Sequence, residues 1–286
     1  MNNRGRTIER RLLLGALVCA VLLAVGYFVF VSTPWGHQFD DDAFLGRQAL
    51  TLKIIRFDSD ILDLVNKAAL LLATVVLLVI AAARRSTFVG VIAVAGLGCA
   101  VAGAEVLKSM LPRQALVPED ALLERGFQAG TYPSGHATVG TSLALGLLLV
   151  SSSRWRPWLA VAGGCLSVTF TTGVLFAGWH RPSDALGALA WSGLCMNAAA
   201  AFAIRMRGRP RAAIAHPSRA AFGSVALAIL VAAATWLIAS AAAPEYPYTD
   251  VPFFVLTGLI IASAFSLTAW YGWQLRAVDW PAEEPQ

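Results

Sequence analysis

Long apolar stretches separated by short polar segments run along almost the whole chain. A helix needs about 20 predominantly apolar residues to cross the hydrocarbon core of a membrane. The pattern therefore predicts eight membrane-spanning helices, over approximately residues 11–32, 63–83, 87–107, 134–151, 158–178, 184–204, 220–243 and 252–275. We expect an all-α protein, a polytopic membrane helical bundle.

Composition agrees with this pattern. Hydrophobic residues make up 57% of the chain and charged residues 14%. A water-soluble chain of this length would need more charge to cover its surface, so a soluble globular domain is excluded. The net charge of +5 indicates no nucleic-acid partner, because basic loops on one side of a membrane account for it.

The basic residues predict the orientation in the membrane. Arg4, Arg6, Arg10 and Arg11 precede the first apolar run, which is too long for a secretory signal peptide and is expected to remain as a signal anchor. With the N-terminus in the cytoplasm, 14 of the 22 Lys and Arg residues fall on inside segments. The first outside segment carries the acidic run 40–42 (DDD). Both termini are therefore predicted to be cytoplasmic.

A basic segment divides the predicted spans into two groups. Residues 205–219 (RMRGRPRAAIAHPSR) have the composition of a cytoplasmic linker. Residues 1–204 are predicted to form a six-helix core. Residues 220–286 would add two C-terminal transmembrane helices and a cytoplasmic tail.

Polar residues that could take part in binding or catalysis lie on three outside segments, 108–113 (KSMLPR), 133–136 (PSGH) and 178–184 (GWHRPSD). The predicted orientation depends on the basic residues alone. The three segments nevertheless fall on one face of the predicted bundle. We expect them to form a common site there.

All three segments contribute features of an anion site. Ser134 and Gly135 open a predicted helix, where free backbone N–H groups and the helix dipole favour a bound anion. Lys108, Arg113 and Arg181 would add positive charge for phosphate oxygens. Taken singly, the lysine is explained as a snorkelling side chain and the serine as a helix cap.

The histidines indicate the reaction. His180 and Asp184 are four residues apart, so they are neighbours on one helix face if the helix begins near His180. A carboxylate beside an imidazole fixes its tautomer and supports it as a nucleophile or base. His136 is then suited to protonating a leaving oxygen, although alone it would be an interfacial side chain. Together these groups describe phosphoester cleavage through a phosphohistidine.

The same residues resemble the type 2 phosphatidic acid phosphatase family of membrane lipid phosphatases. The PSGH motif is complete at 133–136, and the active half of the third motif matches at 180–184 (HRPSD). The resemblance covers about residues 63–204. It implies an all-helical fold and an activity that needs no metal or other cofactor. In the catalytic roles, the resemblance implies His180 as the nucleophile, Asp184 as its partner and His136 as the acid. It also implies that Lys108, Ser134 and Gly135 bind the phosphate.

Two positions depart from the family pattern. Ala115 stands where the first motif usually has an arginine, and Val174 stands where an arginine is expected six residues before the histidine. One phosphate contact is therefore missing or relocated. Arg113 and Arg181 are the candidates to replace it.

The leading hypothesis is a membrane phosphatase that hydrolyses a lipid phosphate or a polyprenyl phosphate or diphosphate on the extracytoplasmic face of a bacterial cell membrane. Its partners would be the lipid substrate and membrane lipids, and a homo-oligomer is left open. A second hypothesis is a non-catalytic lipid-binding or transport protein that keeps the fold. A third is a metal-dependent hydrolase, which chelator sensitivity would distinguish.

Overall fold

The structure is a computed structural model that describes residues 3–47, 67–111, 113, 131–207, 226–230, 232–234, 237 and 250–280. It is all-helical, as the apolar pattern predicted. The helices with described bounds are α1 (Asn3–Gly26), α2 (Pro34–Gly46), α3 (Lys67–Ala83), α4 (Thr87–Met110), α5 (Gly135–Val150), α6 (Arg156–Phe176), α7 (Pro182–Arg207) and α8 (Asp250–Gln274). A π-helical turn, Tyr27–Val31, continues α1.

The helices have the length and composition of a membrane protein. Among the described residues, five helical segments are long and apolar enough to cross a membrane: Gly5–Val31, Thr87–Met110, Arg156–Phe176, Pro182–Met206 and Val251–Gln274. Leu70–Ala83 and Gly135–Val150 are shorter apolar helices. The predicted linker lies mostly outside the described residues, as does the span predicted over 220–243.

Helix α7 is the central element. It packs against α1, α4 and α5, while α6 lies between α5 and α8. Small residues allow the close helix contacts: a Cβ on Gly140 would lie 2.3 Å from the ring of Phe170, and one on Gly164 would lie 2.3 Å from the ring of Phe265. Such small residues let helices approach closely in membranes. The last helix is thereby packed directly onto the helices that precede the linker.

Helix α2 lies within the stretch that the sequence pattern assigned to an outside segment. Its N-terminus is capped by Thr33, whose Oγ1 accepts a hydrogen bond from the Gly36 N–H at 3.1 Å, and Pro34 occupies the first helical position. The helix packs against α8 and α7. It thus brings its acidic residues to the end of the bundle where α7 begins.

The opposite end of the bundle is held by two arginines. The buried Arg156 side chain donates hydrogen bonds to the carbonyls of Leu148, Ser151 and Leu275 at 3.0, 2.8 and 2.6 Å. Arg84 pairs with Asp279 at 2.6 Å. These contacts join the end of α8 to the α5–α6 turn. Basic residues that the sequence pattern assigned to the inside therefore lie at the end remote from the candidate site.

Candidate active site

The three polar segments meet at one end of the bundle. The Ser134 N–H donates to the backbone carbonyl of Asp184 at 3.0 Å. The Arg113 guanidinium donates to the carboxylate of Asp184 at 3.3 Å. A Cβ on Gly135 would lie 3.3 Å from Lys108 Nζ. The structure thus brings together residues that are far apart in the sequence.

A histidine and a carboxylate form the centre of the site. Asp184 lies in the first turn of α7 and is fully buried. Its Oδ2 lies 3.3 Å from His180 Nδ1 and also accepts hydrogen bonds from Thr131 Oγ1 at 2.6 Å and from the Arg181 N–H at 3.1 Å. The carboxylate therefore holds the Nδ1 edge of the imidazole. The other ring nitrogen, Nε2, is left to act on a substrate.

The turn between α6 and α7 sets the position of this imidazole. Gly178 follows the end of α6 with a φ of 75°, a conformation that glycine adopts without steric cost. The backbone N–H groups of Trp179 and His180 both donate to the carbonyl of Val174, at 2.9 and 3.0 Å. Val174 itself is buried in an apolar cluster with Phe44 of α2. The position that the family resemblance associates with an arginine is therefore part of the core.

The start of α5 forms the second part of the site. Ser134 is the N-cap of this helix, and its Oγ accepts a hydrogen bond from the Ala137 N–H at 3.4 Å. Gly135 and His136 occupy the first turn, where backbone N–H groups have no partner within the helix. The His136 ring lies edge to face with Trp179, with 5.2 Å between the ring centroids. His136 thus contacts the α6–α7 turn that carries His180.

Lys108 has a partner that the sequence pattern did not single out. Its Nζ lies 2.7 Å from the Glu105 carboxylate, one turn earlier on α4. A Cβ on Gly135 would also lie 2.9 Å from this carboxylate, so the ion pair borders the N-terminus of α5. The spacing of three residues on a helix was the available signal for this pair.

The two arginines proposed as phosphate ligands bind carboxylates of this chain. Buried Arg113 donates to Asp40 at 3.0 Å and to Ser183 Oγ at 2.8 Å, in addition to its contact with Asp184. The Arg181 guanidinium is hydrogen-bonded to Asp41. Both acidic partners come from α2. The acidic run that the sequence placed in an outside segment therefore fastens α2 to the first turn of α7.

Asp40 makes several of the contacts that attach α2 to the first turn of α7. Its carboxylate accepts hydrogen bonds from the Ser183 N–H at 2.9 Å and from Ser183 Oγ at 2.6 Å, besides the bond from Arg113. Burial raises the pKa of Asp40, while Arg113 and Ser183 act in the opposite direction. For Arg113, burial favours the neutral form, but Asp40 and Asp184 outweigh it and raise the pKa. The guanidinium thus remains charged between two buried carboxylates.

A further histidine, His37, lies on α2 and is also buried. Its Nε2 is 3.6 Å from Asp41, and burial lowers its pKa despite the nearby carboxylate. Within the described part of the chain, no three His, Cys, Asp or Glu side chains are grouped as ligands for a metal ion.

An apolar cavity lies beside the site, between α1, α7 and α8. It has a volume of about 540 Å³ and is lined by side chains such as Leu22, Leu186 and Leu267. Tyr132 lines it as well, and this residue directly precedes the PSGH segment; its hydroxyl donates to the carbonyl of Leu23 at 2.8 Å. The cavity therefore adjoins the loop that leads into α5.

The apolar helices that are long enough to cross a membrane support a membrane phosphatase-type fold. The family model described as the PAP2 superfamily matches residues 88–209, so this part of the chain is similar to that superfamily. The resemblance drawn from the two motifs is thereby confirmed. Comparisons with curated proteins and with solved structures give no match.

Proposed function

We propose that this protein is an integral membrane phosphatase that hydrolyses a lipid phosphate through a phosphohistidine. The observation that carries the proposal is the pair formed by His180 Nδ1 and the buried Asp184 carboxylate, 3.3 Å apart. It lies next to a helix N-terminus that carries His136. Similarity to a superfamily whose members are generally phosphatases supports the same chemistry.

The first chemical step is transfer of the phosphoryl group to His180. The Nε2 lone pair forms a bond to phosphorus as the bond between phosphorus and the lipid oxygen breaks. The bonding electrons leave with that oxygen, which takes a proton from His136. Asp184 stabilises the positive charge that develops on the imidazole, and it keeps Nδ1 as the hydrogen-bonded edge.

The second step returns the enzyme to its starting state. A water molecule attacks the phosphorus of phosphohistidine and loses a proton to His136, now neutral. The nitrogen–phosphorus bond breaks, its electrons return to Nε2, and inorganic phosphate is released. His136 thus acts as acid in one step and as base in the next.

Other residues hold the phosphate or position the catalytic pair. Lys108 and the backbone at Ser134 and Gly135 are the proposed phosphate ligands, because a cation there adjoins the positive end of α5. Arg113 is a positioning residue, since its hydrogen bonds go to Asp40, Ser183 and the Asp184 carboxylate. No cofactor or metal ion takes part in the proposed steps.

A lipid is the proposed substrate because apolar space adjoins the site. The cavity of about 540 Å³ between α1, α7 and α8 has an apolar lining suited to a hydrocarbon chain. A phosphatidate, a polyprenyl phosphate and a polyprenyl diphosphate all present a phosphate joined to such a chain. The clustering of basic residues at the opposite end supports placing the site on the extracytoplasmic face of a bacterial cell membrane, with both termini in the cytoplasm.

Phosphate release by the purified protein tests the proposal. The substrates would be phosphatidate, polyprenyl phosphate and polyprenyl diphosphate in detergent micelles, each with a chelator present. We expect phosphate release that persists with the chelator and disappears in the His180→Ala variant. Tight lipid binding without phosphate release would instead support a non-catalytic lipid-binding protein, and loss of activity on chelation would support a metal-dependent hydrolase.

A further inference from the structure

Arg47 lies immediately after α2 and close to the candidate site. Its guanidinium carbon is 3.8 Å from the centre of the Phe44 ring, and Nη1 donates a hydrogen bond to the Phe44 carbonyl at 2.8 Å. The side chain is therefore held in a defined position by its own helix. It is partly buried rather than extended into solvent.

The guanidinium lies against the turn that carries the proposed nucleophile. A Cβ on Gly178 would lie 2.7 Å from Arg47 Nε and 2.9 Å from Nη2, so only a residue without a side chain leaves room for it. Gly178 precedes His180 by two residues, which limits the distance between their Cα atoms to about 7 Å. The guanidinium therefore contacts the turn two residues before the proposed nucleophile.

Three other cations around the site, among the described residues, have carboxylate partners. Lys108 pairs with Glu105, Arg113 pairs with Asp40 and Asp184, and Arg181 pairs with Asp41. In the described part of the chain, no carboxylate lies within ion-pair distance of Arg47. Burial lowers the pKa of Arg47. A partly buried cation that has no counter-ion among the described residues is stabilised by an anion that binds beside it.

The attachment of α2 fixes where this cation lies. Asp40 is bound to Ser183 and Arg113, and Asp41 to Arg181, so two successive carboxylates on α2 connect it to the first turn of α7. Phe44, one turn further along, packs in the apolar cluster that contains Val174. α2 therefore packs in the core beside the α6–α7 turn through Phe44, and the guanidinium of Arg47, at the end of α2, contacts that turn.

From this geometry we infer that Arg47 is a phosphate-binding residue, which contacts the phosphate oxygens of the substrate and of the inorganic phosphate product. The inference rests on the proposed function for its substrate, but binding of inorganic phosphate does not require turnover. A planar guanidinium suits this task because it donates two parallel hydrogen bonds to a phosphate group. α2 then supplies a site residue from outside the stretch matched by the family model.

The first test compares Arg47→Ala and Arg47→Lys with the wild-type protein and with Arg154→Ala, an exposed arginine at the opposite end of the bundle. The measurements are the inhibition constant of inorganic phosphate and the KM for a lipid phosphate. Losing a charge-assisted contact is expected to raise both constants by about tenfold or more. Arg47→Lys should recover part of the loss, and Arg154→Ala should match the wild type. An Arg47→Ala protein with an unchanged phosphate inhibition constant would overturn the inference.

The second test uses the unsubstituted protein and needs no hydrolysis. Phenylglyoxal, which modifies arginine, would be applied with and without inorganic phosphate, and the modified peptides quantified by mass spectrometry. Phosphate should slow modification of Arg47 severalfold and leave Arg154 unaffected. Equal modification of Arg47 with and without phosphate would contradict the inference. Protection of Arg47 in a protein that releases no phosphate would uphold it while refuting the proposed function.

A third test distinguishes a phosphate group bound in the site from the anionic headgroups of the surrounding membrane. The phenylglyoxal experiment would be repeated in vesicles of neutral lipid and in vesicles containing phosphatidylglycerol, without inorganic phosphate. Arg47 should be modified at the same rate in both, because the inferred ligand is a phosphate group bound in the site. Protection by phosphatidylglycerol alone, with none by inorganic phosphate, would show that Arg47 binds membrane headgroups instead.

Discussion

Replacing Arg113 with leucine removes the cation that contacts two buried carboxylates. The guanidinium lies 3.0 Å from Asp40, 2.8 Å from Ser183 Oγ and 3.3 Å from Asp184. Leucine retains most of the apolar bulk but leaves both carboxylates without their cation. Breaking a buried ion pair by removing one partner typically costs about 3–5 kcal/mol. We therefore expect Arg113→Leu to lower the free energy of unfolding by about that amount.

The same reasoning predicts that a second substitution restores part of the loss. Asp40→Asn removes one negative charge and keeps an oxygen to accept the hydrogen bond from the Ser183 N–H. In the double variant, Asp184 no longer faces another buried carboxylate. Residues that share such a network typically show coupling energies of about 0.5–3 kcal/mol. The double variant should therefore be more stable than Arg113→Leu alone.

Both effects would be measured by reversible unfolding in mixed micelles, with circular dichroism and a thiol-accessibility probe as independent signals. The four proteins of the double-mutant cycle are the wild type, each single variant and the double variant. Phosphate inhibition of any active variant should change by less than about twofold, because the contacts of Arg113 are with the chain and not with substrate. Additive stability losses, or a phosphate affinity that falls with Arg113→Leu, would refute the assigned positioning role.

Three further predictions address the catalytic pair, the packing of α8 and the orientation. Asp184→Asn should lower kcat by about 10²–10⁴-fold with little change in KM, because the imidazole loses its orienting carboxylate. A variant with a changed KM and an unchanged kcat would contradict this prediction. Arg156→Ala should destabilise the protein by at least about 3 kcal/mol in an unfolding titration, since several buried carbonyls lose their donor, and wild-type stability would disprove it. In a cysteine-free background, Trp35→Cys should react with an impermeant thiol reagent in intact cells and Trp155→Cys should not; the reverse labelling would invert the proposed topology.

Local patterns in the sequence predicted the all-helical fold and the proposed catalytic residues, but not α2, which lies in a stretch assigned to an outside segment. Apolar runs indicated an all-helical membrane protein, and the structure begins α5 at Gly135, after a serine cap within PSGH. His180 and Asp184 are four residues apart, so their contact is a property of one helical turn. Both features follow from interactions between residues that are near in sequence.

The partners of the arginines were not predictable in this way. Asp40 and Arg113 are 73 residues apart, and Arg181 and Asp41 are 140 residues apart. Nothing local distinguishes an arginine that binds phosphate from one that binds a carboxylate brought by the fold. Thr33 caps α2 and Pro34 begins it in the structure, but neither residue indicates which surface the helix covers. Pairing over such separations depends on the tertiary arrangement.

The central claim is that His180 becomes phosphorylated on the ring nitrogen that does not face Asp184. The direct measurement is rapid quenching of the purified protein with a lipid phosphate labelled with ³²P, followed by peptide mapping and isomer-selective detection of phosphohistidine. We predict an acid-labile, base-stable phosphoryl group on Nε2 of His180, formed at least as fast as steady-state turnover and absent from His180→Ala. A protein that hydrolyses the substrate with no such intermediate, or that carries the phosphoryl group on Nδ1, would contradict this account.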